Sequence, residues 1–99
     1  MARRITWTKE AKRVYKEILK FYIERNGSKT YSIKLDKEIT ALISLLKQYP
    51  NIGIKTDYDD LHAIVKGDCK IYYQVTRKEI NIRLVWDCRQ NPEDFKLEQ

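Results

Sequence analysis

The chain predicts an α+β fold: an N-terminal strand, then an antiparallel two-helix hairpin packed on a mostly antiparallel sheet, in the order β-α-α-β-β-β. Three observations carry this expectation. Two apolar stripes recur at helical spacing in the first half, short runs of alternating polarity fill residues 61–86, and turn-forming residues separate them. With 99 residues the chain is one domain, large enough for a single core and not for two.

Each element has a local reason. Ile5 and Trp7 alternate about Thr6, the pattern of a short first strand. Ala11, Val14, Tyr15, Ile18, Leu19 and Tyr22 follow at helical spacing, with Lys and Glu between them. Thr8 stands where an N-cap is needed, although the full capping box is missing. Asn26-Gly27 closes the helix, because glycine tolerates the left-handed C-terminal conformation. The second stripe is Tyr31, Leu35, Ile39, Leu42, Leu45 or Leu46, and Tyr49, with Ser28 placed to cap it and Pro50 to stop it. So short a connection makes the two helices an antiparallel hairpin over about residues 8–49.

Residues 51–60 have the composition of a polar loop. Strands are expected at about Leu61–Lys66, Cys69–Thr76 and Glu79–Trp86, so that the sheet spans about residues 61–87. Gly67-Asp68 suits a two-residue hairpin turn, whereas Arg77-Lys78 is poorer turn material. Strict alternation puts Ile71, Tyr73, Val75, Ile80, Ile82, Leu84 and Trp86 on one face, and Lys70, Tyr72, Gln74, Asn81 and Arg83 on the other. The helix hairpin is expected to cover the apolar face, leaving the cationic, aromatic face open to an anionic partner. Residues 88–99 form a polar tail in which Phe95 is the one aromatic residue.

Twenty Lys and Arg against 14 acids give a net charge of +6, which favours polyanions or an acidic protein partner through long-range steering. No apolar run approaches the roughly 18 residues of a membrane span, and the first residues hold no hydrophobic signal core, so a cytoplasmic location is expected. Two cysteines, Cys69 and Cys88, make no disulfide framework, and one histidine makes no zinc-ligand set. No cofactor or metal is expected. Cys69 alternates with Ile71 and Tyr73 and is expected as a small buried hydrophobe.

Trp7-Thr8 and Ala11 open the first helix, Tyr49-Pro50 and Gly53 follow the second, and Ile-Tyr-Tyr-Gln-Val fills residues 71–75. The closing segment is Val85-Trp86-Asp87-Cys88-Arg89-Gln90-Asn91-Pro92. In that order and spacing these residues resemble the RelE/ParE superfamily of bacterial toxins over nearly the whole chain. The resemblance implies the toxin of a type II toxin–antitoxin module, which arrests growth until an acidic, amphipathic antitoxin segment wraps it. One branch cleaves ribosome-bound mRNA without a metal, and this is the first expectation here. The other branch inhibits DNA gyrase and performs no nuclease chemistry. A relic that only binds its antitoxin is a third reading.

Metal-free RNA cleavage requires a deprotonated 2′-hydroxyl, a stabilised phosphate and a protonated leaving oxygen. The resemblance puts Lys70 and Arg89 at phosphate-binding positions and Phe95 near a tail position that often carries an acid or base. Phenylalanine transfers no proton. His62, Tyr72 or Lys70 would then have to fill that task, histidine being the side-chain type whose charge changes near neutral pH, while Tyr72 is also placed to stack a base and Arg83 to hold phosphate.

Overall fold

A computed structural model describes residues 3–58, 60–67 and 69–87. Helix α1 (Lys9–Asn26) starts where Thr8, in extended backbone, accepts the Ala11 N–H on its side-chain oxygen. It ends where Gly27 takes the left-handed conformation at φ 67°. Helix α2 (Thr30–Leu46) starts differently from expectation. Lys29, not Ser28, occupies the N-cap position, and no side chain caps the helix. Nor does α2 reach Tyr49. Lys47 and Gln48 donate back to Ser44 and Leu45 in tighter turns, so the last helical residue is Leu46 and Tyr49 is left exposed.

The helices are tied by polar contacts as well as packing. Ser32 donates its hydroxyl to the Leu19 carbonyl at 2.6 Å, and the Tyr15 hydroxyl donates to Asp36 Oδ1 at 2.5 Å. Burial first, and then the bond to Asp36, push the Tyr15 phenol far above its ordinary range. A raised phenol contributes stability that is complete below pH 10 and lost as pH climbs toward the folded-state value. The protein is therefore expected to lose stability above about pH 10, and Tyr15→Phe to lose less of it, as checked by urea unfolding at pH 8 and pH 11.

Five strands make one sheet among the described residues: β1 (Arg4–Trp7), β2 (Ile54–Lys55), β3 (Leu61–Lys66), β4 (Cys69–Val75) and β5 (Glu79–Asp87). Their spatial order is β1-β5-β4-β3-β2, with β1 parallel to β5 and every other pair antiparallel. The helix pair lies on one face, over a core in which Leu35, Ile39, Ile71, Tyr73, Ile80 and Ile82 are fully buried. Cys69 is buried in the same core, as expected. The Arg77-Lys78 turn is held by Thr76, whose hydroxyl accepts the Glu79 N–H.

Two features depart from the expected sheet. The supposed loop 51–60 contains β2, which pairs Ile54 with Ala63 and Lys55 with His62. It is anchored from the core. The Tyr73 hydroxyl donates to the Pro50 carbonyl at 2.8 Å and accepts the Gly53 N–H at 3.0 Å. A Cβ on Gly53 would stand 2.5 Å from that hydroxyl and 2.8 Å from the Ala63 carbonyl oxygen, so only glycine fits.

The second departure changes which side chains face outward. Ile71 pairs with Val85 and Tyr72 with Leu84, but Tyr73 pairs with Ile82. Arg83 is the extra residue of a β-bulge, and beyond it the alternation of β5 is reversed. Val85 therefore joins the core under the helices, while Leu84 and Trp86 pack on the opposite side of the sheet. The expectation that Leu84 and Trp86 lie beneath the helix hairpin is corrected by this one residue.

Candidate partner-binding face

The sheet face away from the helices has an apolar floor. Leu61, Ala63 and Tyr72 are buried there, with Leu84 and Trp86 packed against them. Beside this floor the anchored 50–53 segment carries β2 along β3, and the two bound an open groove of about 590 Å³. Its walls include Ile54, Tyr58, Ala63, Val65, Lys70 and Tyr72. Ile54 and Val65 are 77% and 57% exposed, more than any other large apolar residue described. The face is thus an apolar trough with cations beside it, rather than the cationic, aromatic plane that strict alternation predicts.

Three of the expected site residues share this face. The Lys70 ammonium stands 5.4 Å from the centre of the Tyr72 ring, within cation–π range, and Arg83 is exposed at the bulge. Tyr72 itself is only 5% exposed, so its ring is part of the floor instead of a platform for a splayed base. His62 does not join them. Its ring stacks on Tyr73 with centroids 5.3 Å apart and planes at 16°, and Tyr73 belongs to the core under the helices. The cause is strand alternation: Leu61 and Ala63 face the floor, so His62 between them faces the other way. His62 Nδ1 is buried with no hydrogen-bond partner among the described residues. Arg89, Cys88 and Phe95 lie outside the described residues.

Sequence reasoning missed Ile54, Tyr58 and Val65. A signal existed in Ile52-Gly53-Ile54, two apolar residues about a glycine inside an otherwise polar stretch. Chemically, the described face presents apolar surface with Lys55, Lys70 and Arg83 beside it and the carboxylate of Asp57 in the groove lining, and the His62 ring is turned away from it. Among the described residues no group of His, Cys, Asp or Glu is arranged to hold a metal ion. No helix is long and apolar enough to cross a membrane.

An open apolar groove flanked by cations and bordered by a two-residue edge strand defines a small basic α+β protein suited to gripping another chain. The chain belongs to the ParE toxin family of type II toxin–antitoxin systems, parDE, whose family model matches residues 5–92. The structure is similar to the chromosomal ParDE toxin–antitoxin system from P. aeruginosa, with a TM-score of 0.71 and 19% identity over 87% of this chain and 96% of that one. It is also similar to a chain of the E. coli DinJ–YafQ toxin–antitoxin complex, with a TM-score of 0.54 and 10% identity over 88% of this chain and 93% of the other. At these identities the structural likeness shows the fold. No curated protein matches the chain.

Proposed function

We propose that this toxin arrests growth by binding a protein target, in the manner of the gyrase-directed branch, and that the groove is also where its antitoxin docks. The observation that carries the reading is the apolar floor of Leu61, Ala63, Tyr72, Leu84 and Trp86, from which the only histidine is turned away. Protein partners need desolvated apolar anchors at the centre of an interface and polar groups at its rim. The groove supplies the first, and Lys55, Lys70 and Arg83 the second. An amphipathic antitoxin segment fits it by laying apolar side chains into the trough and acids against those cations.

The test pairs two assays. Purified protein is expected to inhibit DNA supercoiling by gyrase without ribosomes, and transcripts mapped after induction to show no new cuts. Ile54→Glu with Val65→Glu replaces two apolar walls of the trough by carboxylates, which resist burial under an apolar anchor and repel the acids of the antitoxin segment. It is expected to weaken antitoxin binding at least about 100-fold, or about 2.8 kcal/mol, with little change in melting temperature because both side chains are exposed. Lys70 and Arg83 on one open face also suit an RNA backbone, which favours mRNA cleavage as the second reading. Codon-phased cuts in translated messages that vanish with Lys70→Ala would replace the first reading by that one.

A further inference from the structure

Helix α1 carries a second surface, in the layer on the other side of the sheet from the groove. Steps of about 100° per residue place Lys9, Lys12, Lys16 and Lys20 within an arc of about 80° and along a rise of about 16 Å, and all four are exposed. Of the three acids on the same helix, Glu10 and Glu17 pair with Arg13, at 2.5 and 2.8 Å, and Glu24 lies one turn beyond Lys20, past the end of the stripe. Among the described residues no ion pair reaches any of the four lysines. The arrangement is unfavourable for the isolated protein. Lys9 and Lys12 stand at the helix end where the dipole opposes cations. Lys12–Lys16 and Lys16–Lys20 are like charges four residues apart.

We infer that this lysine stripe docks on the phosphate backbone of double-stranded B-form DNA. The one apolar residue in the arc is the half-buried Ile23 at its far end and no aromatic residue lies there, whereas protein interfaces are depleted in lysine and built on apolar anchors. Single strands are held by stacking on aromatic rings, which are also absent from the arc. Lysine ammonium groups serve phosphate as point charges, and releasing condensed counterions supplies affinity without sequence readout. B-form duplex admits a helix about 10–12 Å across to its major groove, while the deep, narrow groove of A-form RNA does not. This surface stands independently of the proposed protein target.

The experiment is fluorescence anisotropy of the full chain with a 25-base-pair duplex, titrated at several salt concentrations. Log affinity is expected to fall against log salt with a slope of about −3.6, from about −0.9 per phosphate neutralised. Lys9→Gln, Lys12→Gln, Lys16→Gln and Lys20→Gln together are expected to lower affinity at least 100-fold in 0.1 M salt and to flatten the slope. Glutamine keeps helix propensity close to that of lysine, and the single Lys16→Gln, expected to cut the slope by about one, serves if the quadruple variant does not fold. The control removes equal charge elsewhere, through Lys29→Gln, Lys34→Gln, Lys66→Gln and Lys78→Gln, and is expected to keep most of the affinity. Equal loss in both quadruple variants, equal binding of duplex RNA, tighter stripe-dependent binding of an acidic peptide, or no DNA binding by the wild type would each overturn the inference.

Discussion

Inserting one glycine between Leu84 and Val85 is expected to abolish cooperative folding. Beyond the bulge, β5 sends Val85 and Asp87 inward, 1% and 5% exposed, and Leu84 and Trp86 to the other face. Adding one residue while β4 and β5 stay paired reverses that assignment from Val85 onward, because side chains alternate with period two. Trp86 would be driven beneath the helices, where the packed core has no room for an indole. Several mechanisms of large loss then coincide, and the destabilisation exceeds about 4 kcal/mol. Deleting Arg83 removes only the extra residue of the bulge, leaves Ile82, Leu84, Val85 and Trp86 on their present faces, and is expected to fold cooperatively. Arg83→Ala touches only an exposed side chain and is expected to stay within about 0.5 kcal/mol of the wild type. Urea unfolding followed by circular dichroism checks all three. An insertion variant with a sharp transition near the wild-type midpoint would show that the strand absorbs the residue without a change of register.

Replacing Tyr73 by Ala is expected to cost about 3–5 kcal/mol, the range for removing a buried aromatic side chain. Tyr73 is fully buried, and its hydroxyl also serves the Pro50 carbonyl and the Gly53 N–H. Tyr73→Phe separates the two effects. It keeps the ring and strips those backbone groups of their partner, at about 1–3 kcal/mol. Burial raises the Tyr73 phenol above its ordinary range, so it remains a protonated donor at neutral pH. Because that hydroxyl anchors the segment carrying β2, Tyr73→Phe is also expected to weaken antitoxin binding beyond its effect on stability. Hydrogen exchange at Ile54 and Lys55 is the matching readout, with protection falling first there.

What was legible in the sequence were the elements built from local rules. The α1 stripe, the Thr8 cap, Gly27 and the antiparallel β4–β5 pairing all depend on residues close together in the chain. The features that remained hidden depend on distant contacts. Strand β2 is two residues long and is held by a tyrosine twenty positions away, so no periodicity marks it. The bulge carries no glycine, and Ile80, Ile82, Leu84 and Trp86 alternate across it as if the strand were regular. That regularity misplaced Leu84 and Trp86, and with them the character of the whole face. His62 lies in a strand with apolar residues at both parities, Leu61 and Ala63 on one side and Ile64 on the other, so alternation there could not orient it.

Strand β1, at one edge of the sheet, precedes the other described strands in the chain, and it pairs with β5, which follows them. Asn81 donates to Thr6 across 75 positions, and the Thr8 N–H reaches the Ile82 carbonyl. A nascent chain therefore cannot finish this sheet until the residues of β5 have been made. Truncated products are left without either finished face, so a cell meets a competent molecule only once β5 has emerged.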